Sequence, residues 1–78
     1  MSLYYFVIQR DHKTPTADLP GLELIDMDEA WEEATKTAGE LIRDLDGSLP
    51  PDSEWSIQIR DASRKLLRTI RLTTESHE

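Results

Sequence analysis

The chain has 78 residues and no cysteine, which excludes a disulfide framework and a thiolate metal site. A domain of this size buries only about 60% of the surface that its unfolded chain exposes, so we expect self-association to add stability. The net charge of −7 argues against general binding to DNA, because neutralisation of phosphates dominates that affinity.

Charge is distributed unevenly along the chain. Residues 23–46 contain nine acidic and two basic side chains, a local charge of −7, whereas residues 55–72 contain five basic side chains and one acidic, a local charge of +4. No apolar run approaches the ~20 residues that span a bilayer, and the first residues lack the pattern of a secretory signal. We therefore expect a cytoplasmic protein with an acidic central region and a basic C-terminal region.

The first predicted strand covers Leu3–Arg10 and is apolar on both faces. Its alternating faces are Tyr4, Phe6 and Ile8 on one side, and Tyr5 and Val7 on the other. Residues 11–21 are polar, with two prolines and a glycine, and are predicted to form a loop. Leu22–Ile25 then predicts a short strand that returns antiparallel beside the first.

A helix is predicted to begin after Asp26, because Asp26 and Glu29 have the spacing of a capping box. In that motif the Asp26 carboxylate accepts the Glu29 N–H, and Glu29 reaches back to the Asp26 N–H. Apolar residues then recur at three- and four-residue steps over about five turns. This stripe consists of Met27, Ala30, Ala34, Ala38, Leu41, Ile42 and Leu45, with Trp31 on its flank.

The alanines of this stripe predict a close approach of the helix to a sheet, with room for large side chains from Phe6, Trp55 and Ile57. Gly39 lies within the helix, where we expect it to serve close packing. Gly47 falls at the position of a left-handed cap, and the two prolines that follow prevent the helix from continuing.

A second hairpin is predicted after the helix. Glu54–Arg60 alternates between apolar and polar residues, residues 61–65 form a short polar connection, and Leu66, Ile70 and Leu72 indicate a last strand whose register is open by one residue. Together these elements predict one α+β domain over residues 1–72, with the order ββαββ, a four-stranded antiparallel sheet in strand order 2-1-3-4 and one helix on one face. Residues 73–78 are expected to be a flexible tail.

Four segments of the chain resemble a family of short bacterial proteins described as a domain of unknown function, number 6894. They are the aromatic opening Tyr4–Ile8, the segment Asp18–Leu24, the helix with Ala30, Ala34 and Ala38, and Trp55-Ser56-Ile57 at the start of the second hairpin. The chain departs from the family in the last turn, where Ser63 stands in place of Asp-Gly-like residues. The resemblance supports the fold and implies no activity.

No catalytic or metal constellation is found in the sequence. The histidines are His12 in the predicted loop and His77 in the tail, so no triad can be assembled, and His12 beside Asp11 supplies too few ligands for a metal. The acidic residues that begin the helix lack the glycine of a calcium loop and complement the helix dipole instead. We therefore expect no enzymatic activity, no cofactor and no metal.

The sheet face that the helix leaves open is the candidate interaction face. It has an apolar centre among polar residues, and its candidate residues are Tyr5, Val7, Ile25, Gln58, Arg60 and Arg71. The first hypothesis is a non-enzymatic interaction module that forms a homodimer through this face or through an edge strand, and an unidentified protein partner stays open. The alternative is a platform for single-stranded nucleic acid, with bases stacked on Tyr5 and phosphates on Arg60 and Arg71, which the net charge disfavours.

Overall fold

The computed structural model describes residues 1–11, the backbone of residues 17–18, and residues 20–77. In chain order the elements are β1 (Ser2–Arg10), β2 (Ala17–Asp18), β3 (Leu22–Leu24), α1 (Met27–Leu45), β4 (Glu54–Arg60) and β5 (Leu66–Thr73). None of the helical segments among these residues has the length and apolar character needed to cross a membrane.

β1 lies in the interior of an antiparallel sheet. On one side it pairs with β4, from Tyr5 opposite Arg60 to Arg10 opposite Trp55, and β4 in turn pairs with β5. On its other side β1 pairs with β3 along its first half and with β2 along its second half. Because β2 and β3 form one interrupted strand, the predicted order ββαββ with sheet order 2-1-3-4 is confirmed.

The prediction of a loop throughout residues 11–21 was wrong at Ala17–Asp18. These two residues pair with Ile8 and Val7 of β1. A two-residue strand has no hydrophobic alternation, and its polar, proline-containing surroundings are typical of a loop, so the sequence pattern could not reveal it. The prediction for His12 lies outside the described residues.

Side-chain and backbone caps determine where α1 begins and ends. Asp26 Oδ1 accepts the Glu29 N–H at 3.0 Å, as predicted. The return contact differs, because Glu29 Oε2 accepts the N–H of Ile25 at 3.4 Å rather than that of Asp26. At the C-terminal end Asp46 and Gly47 both adopt left-handed conformations, with φ of 45° and 85°, which confirms the predicted cap.

The core forms where the alanines of α1 face the sheet. Ala30, Ala34 and Ala38 are buried against large side chains, as predicted for Phe6 and Ile57. The rest of this cluster comprises Tyr4, Leu24 and Ile59, with Ile8, Met27 and Ile70 packed at its margin. Trp55 is also buried but lies outside the cluster, at the end of the sheet where Arg10 covers its ring.

Gly39 does not serve close packing, and that prediction was wrong. It lies on the exposed side of α1, and a Cβ atom built at this position would meet nothing within 4 Å. Glycine in a helix interior costs about 1 kcal/mol relative to alanine, because it loses more backbone freedom on folding.

Replacing Gly39 by alanine is therefore expected to stabilise the fold by up to about 1 kcal/mol. For a domain of this size, this corresponds to an increase in melting temperature of about 4–8 °C in thermal unfolding followed by circular dichroism. Gly47→Ala is the matched control: its φ of 85° strains any other residue, so we expect it to lower the melting temperature. Equal effects at both positions would contradict this explanation.

β5 extends one residue beyond the predicted domain boundary, to Thr73. Thr74 follows it and is tied to the turn before β4: its N–H donates to the Ser53 carbonyl at 2.9 Å, and its hydroxyl donates to the Pro50 carbonyl at 2.7 Å. The Ser76 N–H also donates to Asp52 Oδ1. The flexibility expected for residues 73–78 stays a prediction.

Candidate interaction surfaces

The open face is the side of the sheet away from α1, and five of the six candidate residues lie on it. Cross-strand pairing arranges Tyr5 opposite Arg60, and Val7 opposite Gln58. Arg71 lies opposite Ser56 on the same side. Ile25 is exposed, but it lies beyond the end of β3, in the bend that leads to α1, and is not part of the sheet.

Arg60 is held by hydrogen bonds across the open face. Its Nε and Nη2 atoms donate to Gln58 Oε1 at 3.2 and 2.7 Å, and Nη1 donates to the Arg64 carbonyl at 2.9 Å. Gln58 also donates to Gln9 Oε1 at 3.4 Å. The polar side chains of this face therefore bind one another, which fixes the orientation of the Arg60 guanidinium group.

Tyr5 is covered by other parts of the same chain. The guanidinium carbon of Arg64 lies 3.7 Å from the centre of the Tyr5 ring, in cation–π contact. Gly21, which directly precedes β3, also approaches: a Cβ atom built on it would come within 2.8 Å of Leu3 Cδ1 and 3.0 Å of Tyr5 Cε1. Val7 is buried as well, so the apolar centre of the open face is not an exposed patch.

The turn between β4 and β5 positions Arg64 for this contact. Asp61 Oδ1 accepts the N–H groups of Ser63 at 2.9 Å and Lys65 at 3.0 Å, and Arg64 adopts a left-handed conformation with φ of 67°. The position that favours glycine is thus occupied by Arg64, next to the Ser63 at which the chain departs from the family pattern. Arg64 therefore combines a strained backbone conformation with stacking of its side chain on Tyr5.

Two substitutions of Arg64 separate these two contributions. Arg64→Ala removes the stacking and keeps the strain, so we expect a loss of about 1 kcal/mol in the free energy of unfolding. Arg64→Gly removes both, and is expected to be more stable than the alanine variant by about 1 kcal/mol. Urea denaturation of the two variants measures this difference, and a glycine variant no more stable than the alanine variant would contradict it.

The outer edge of β5 is the second candidate surface. In the described part of the chain β5 pairs with β4 alone, and the opposite edge of the sheet is formed by the much shorter strands β2 and β3. Leu66 and Leu67, at the start of β5, are 45% and 40% exposed. An irregularity between Ile59 and Arg60 shifts the pairing of β4 with β5 at this end. The structure thereby fixes the register of the last strand, which the sequence left open by one residue.

A shelf lies between α1 and β5, because α1 packs mainly over β4 and β3, and β5 lies beyond them at the edge of the sheet. The Arg68 guanidinium carbon lies 5.4 Å from the centre of the Trp31 ring and shows which side of α1 faces β5. Trp31 and Ile42 are 38% and 47% exposed and lie eleven residues apart, hence on the same side of α1. We call this surface the β5 shelf; it comprises Trp31, Thr35 and Ile42 of α1, and Arg68, Ile70 and Leu72 of β5.

The sequence pattern does not reveal the shelf, because Trp31 lies on the flank of an apolar helix stripe, where a packing role is typical, and Arg68 interrupts the apolar face formed by Leu66, Ile70 and Leu72. The available signal was Arg68 itself. A single cation on the core-facing side of a strand indicates that the strand extends beyond the cover of the helix.

A metal site would require several of the polar side chains in the described residues to converge on one ion. Within residues 1–11, 17–18 and 20–77, no group of three histidine, cysteine, aspartate or glutamate side chains is arranged to hold one. A cleft of about 310 Å³ at one end of the sheet contains Asp11, Asp52 and Glu54, but Asp11 accepts the Glu54 N–H at 2.8 Å and Asp52 accepts that of Ser76. His77 is exposed beside Glu75.

Comparison with known proteins places the chain in a family without assigning it an activity. No curated protein and no solved structure matches the chain. The family described as "Domain of unknown function (DUF6894)" matches residues 3–73, and the chain belongs to this family.

Proposed function

We propose that this protein is a small non-enzymatic interaction module that forms a homodimer through the outer edge of β5. The observation that carries the proposal is the edge itself: β5 is eight residues long, and among the described residues nothing pairs with its outer side. The unpaired N–H and C=O groups of such a strand are a template for a second strand. Two copies joined here would form one continuous sheet.

The contacts on the open face favour a dimer interface at the β5 edge rather than on the open face. The Tyr5 ring is covered by Arg64, the Arg60 guanidinium group is bound to Gln58, and Val7 is buried. Pairing through the open face would bury the Arg60 guanidinium group, which has hydrogen bonds but no carboxylate partner among the described residues. Pairing through the β5 edge leaves all of these contacts in place.

Charge along β5 favours one register for the pairing. Two β5 strands related by a two-fold axis pair antiparallel, and residues of the same face lie opposite each other. A register centred on Arg71 would place two like charges directly opposite, which is unfavourable. A register centred on Ile70 joins two Ile70 side chains and sets Arg68 opposite Leu72, so that the arginines are separated.

The charge of Arg71, which could oppose pairing at the β5 edge, is partly neutralised within one copy. Its Nε atom lies 3.2 Å from Glu54 Oε1 on the neighbouring strand, an ion pair within one copy. Charged side chains on edge strands commonly prevent pairing, and this ion pair weakens that protection.

The test is the mass of the protein in solution at tens of micromolar, measured by light scattering coupled to size-exclusion chromatography. We expect a dimer for the natural chain. Thr69→Lys adds a charge at the centre of β5, opposite the partner's Arg71 in the Ile70-centred register, and is expected to weaken the dimer about tenfold or more. Ser2→Lys is the matched control, because Ser2 is an exposed strand residue on the β1 side that pairs with β3.

A strict monomer at these concentrations would overturn the proposal. A dimer that survives Thr69→Lys but is lost in Arg60→Ala would move the interface to the open face. Loss of the dimer in both lysine variants to the same extent would show that the dimer does not depend specifically on the β5 edge.

The platform for single-stranded nucleic acid is the second candidate. Its three residues lie on one face, as this function requires, but the Tyr5 ring is stacked by Arg64 and Arg71 is paired with Glu54. Binding would have to replace these contacts. Titration with mixed-sequence oligonucleotides at low salt tests it, and absence of salt-dependent binding would remove it.

A further inference from the structure

The β5 shelves of two copies would meet in the homodimer proposed above, on which this inference rests. Neighbouring strands are about 4.8 Å apart, so two β1 strands in the joined sheet lie about 24 Å from each other. Each α1 packs between β3 and β4, above β1, and a helix with its side chains is about 10–12 Å wide. The two helices are then separated by a groove about 12 Å wide, with both β5 strands as its floor.

Arg68 gives this groove its charge. In the described part of the chain Arg68 contacts the Trp31 ring and has no carboxylate partner. Two other arginines of the sheet differ in this respect, since Arg10 lies 3.6 Å from Asp11 and Arg71 pairs with Glu54, while Arg60 has its donors bound to Gln58 and the Arg64 carbonyl. Stacking on an aromatic face leaves the N–H groups of a guanidinium at its rim, where they can donate to an anion.

Acidic side chains of α1 do not close the groove. Glu32 and Glu33 lie within 3.5 and 3.7 Å of Lys36, which neutralises part of their charge. The side of α1 that faces β5 carries the uncharged residues Trp31, Thr35 and Ile42, and its one acidic residue by helical spacing in the first turn is Asp28. The groove thus has an apolar centre at the two Ile70 side chains, with one Arg68 cation on each side of that centre, and its walls are uncharged beyond the first turn of each α1.

We propose that this groove binds an extended acidic segment of a partner protein, with two acidic side chains four residues apart and an apolar residue midway. In the Ile70-centred register the two Arg68 residues lie about 13 Å apart along the strands, at about 3.3 Å per residue. Residues i, i+2 and i+4 of an extended peptide share one face and span the same distance. Its two carboxylates can therefore meet one Arg68 each, while its central side chain contacts Ile70.

The probe is the peptide acetyl-Glu-Ser-Leu-Ser-Glu-amide, titrated calorimetrically into the full chain, with the mass of the protein measured in the same buffer. The matched peptide acetyl-Ser-Glu-Leu-Glu-Ser-amide has the same composition, but its carboxylates lie on the opposite face from leucine. We expect one molecule of the first peptide per two chains, and binding of the second weaker by about tenfold. Arg68→Gln is expected to weaken the first peptide to a similar extent, whereas Lys65→Gln, in the β4–β5 turn, changes it less than about twofold.

The outcomes separate this inference from the homodimer. Three results obtained with a dimeric protein would contradict the groove but not the homodimer. They are no binding of either peptide, equal binding of both peptides, and unchanged binding of the first peptide after Arg68→Gln. A natural chain that is monomeric overturns both. Binding of one peptide per single chain would also overturn the groove, because the site requires Arg68 from two copies.

Discussion

Replacing Ala34 by leucine is expected to cost more than about 3 kcal/mol of the free energy of unfolding, the upper end of the range for overpacked cores. Ala34 is 0% exposed at the centre of the helix face that packs on the sheet. Large side chains from Phe6 and Ile57 occupy the space in front of it, so leucine has no room unless α1 moves away from the sheet. Natural domains are stable by about 5–15 kcal/mol, so this loss would remove a large fraction of the stability of a small domain.

Thr35→Leu is the matched control for this substitution. Thr35 is the next residue of α1, is exposed, and its hydroxyl donates to the Trp31 carbonyl within the helix. Leucine has the higher helix propensity, so we expect a change within about 0.5 kcal/mol. Urea denaturation followed by circular dichroism measures both variants, and similar losses of stability would contradict the close approach of α1 to the sheet.

The fold was predictable because its main elements carry local signals. β1 is apolar on both faces, which is typical of an interior strand, and the Asp26 cap and Gly47 fix the limits of α1 within a residue or two. The alanine stripe then predicted which face of α1 is buried. These signals agree with one another, and such agreement limits the topologies that a short chain can adopt.

The candidate surfaces were less predictable because they depend on contacts between distant segments. Stacking of Arg64 on Tyr5 requires a left-handed residue in the turn after β4, and no hydrophobic pattern reveals that conformation. The pair of Trp31 and Arg68 depends on the register of β5, which the irregularity at Ile59/Arg60 sets. Sequence reasoning thus identified the open face and missed that the chain covers its centre.

The Ile59→Ala variant measures how much the hydrophobic core and the homodimer each contribute to the stability of the fold. Ile59 is 0% exposed near the C-terminal end of β4, and its truncation is expected to cost about 2–5 kcal/mol, through lost burial and the cavity left behind. Leu66→Ala is the control, since Leu66 is 45% exposed and should lose less than about 1 kcal/mol.

If the homodimer adds stability, folding of the Ile59→Ala variant depends on its concentration. Mass action stabilises any state that a partner binds, so the melting temperature of this variant should rise between low and high micromolar protein. The same variant combined with Thr69→Lys should lose that dependence, because the dimer is weakened while the core is unchanged. A melting temperature independent of concentration in Ile59→Ala would mean that the thin core of this domain is sufficient alone, and that self-association does not contribute to its folding.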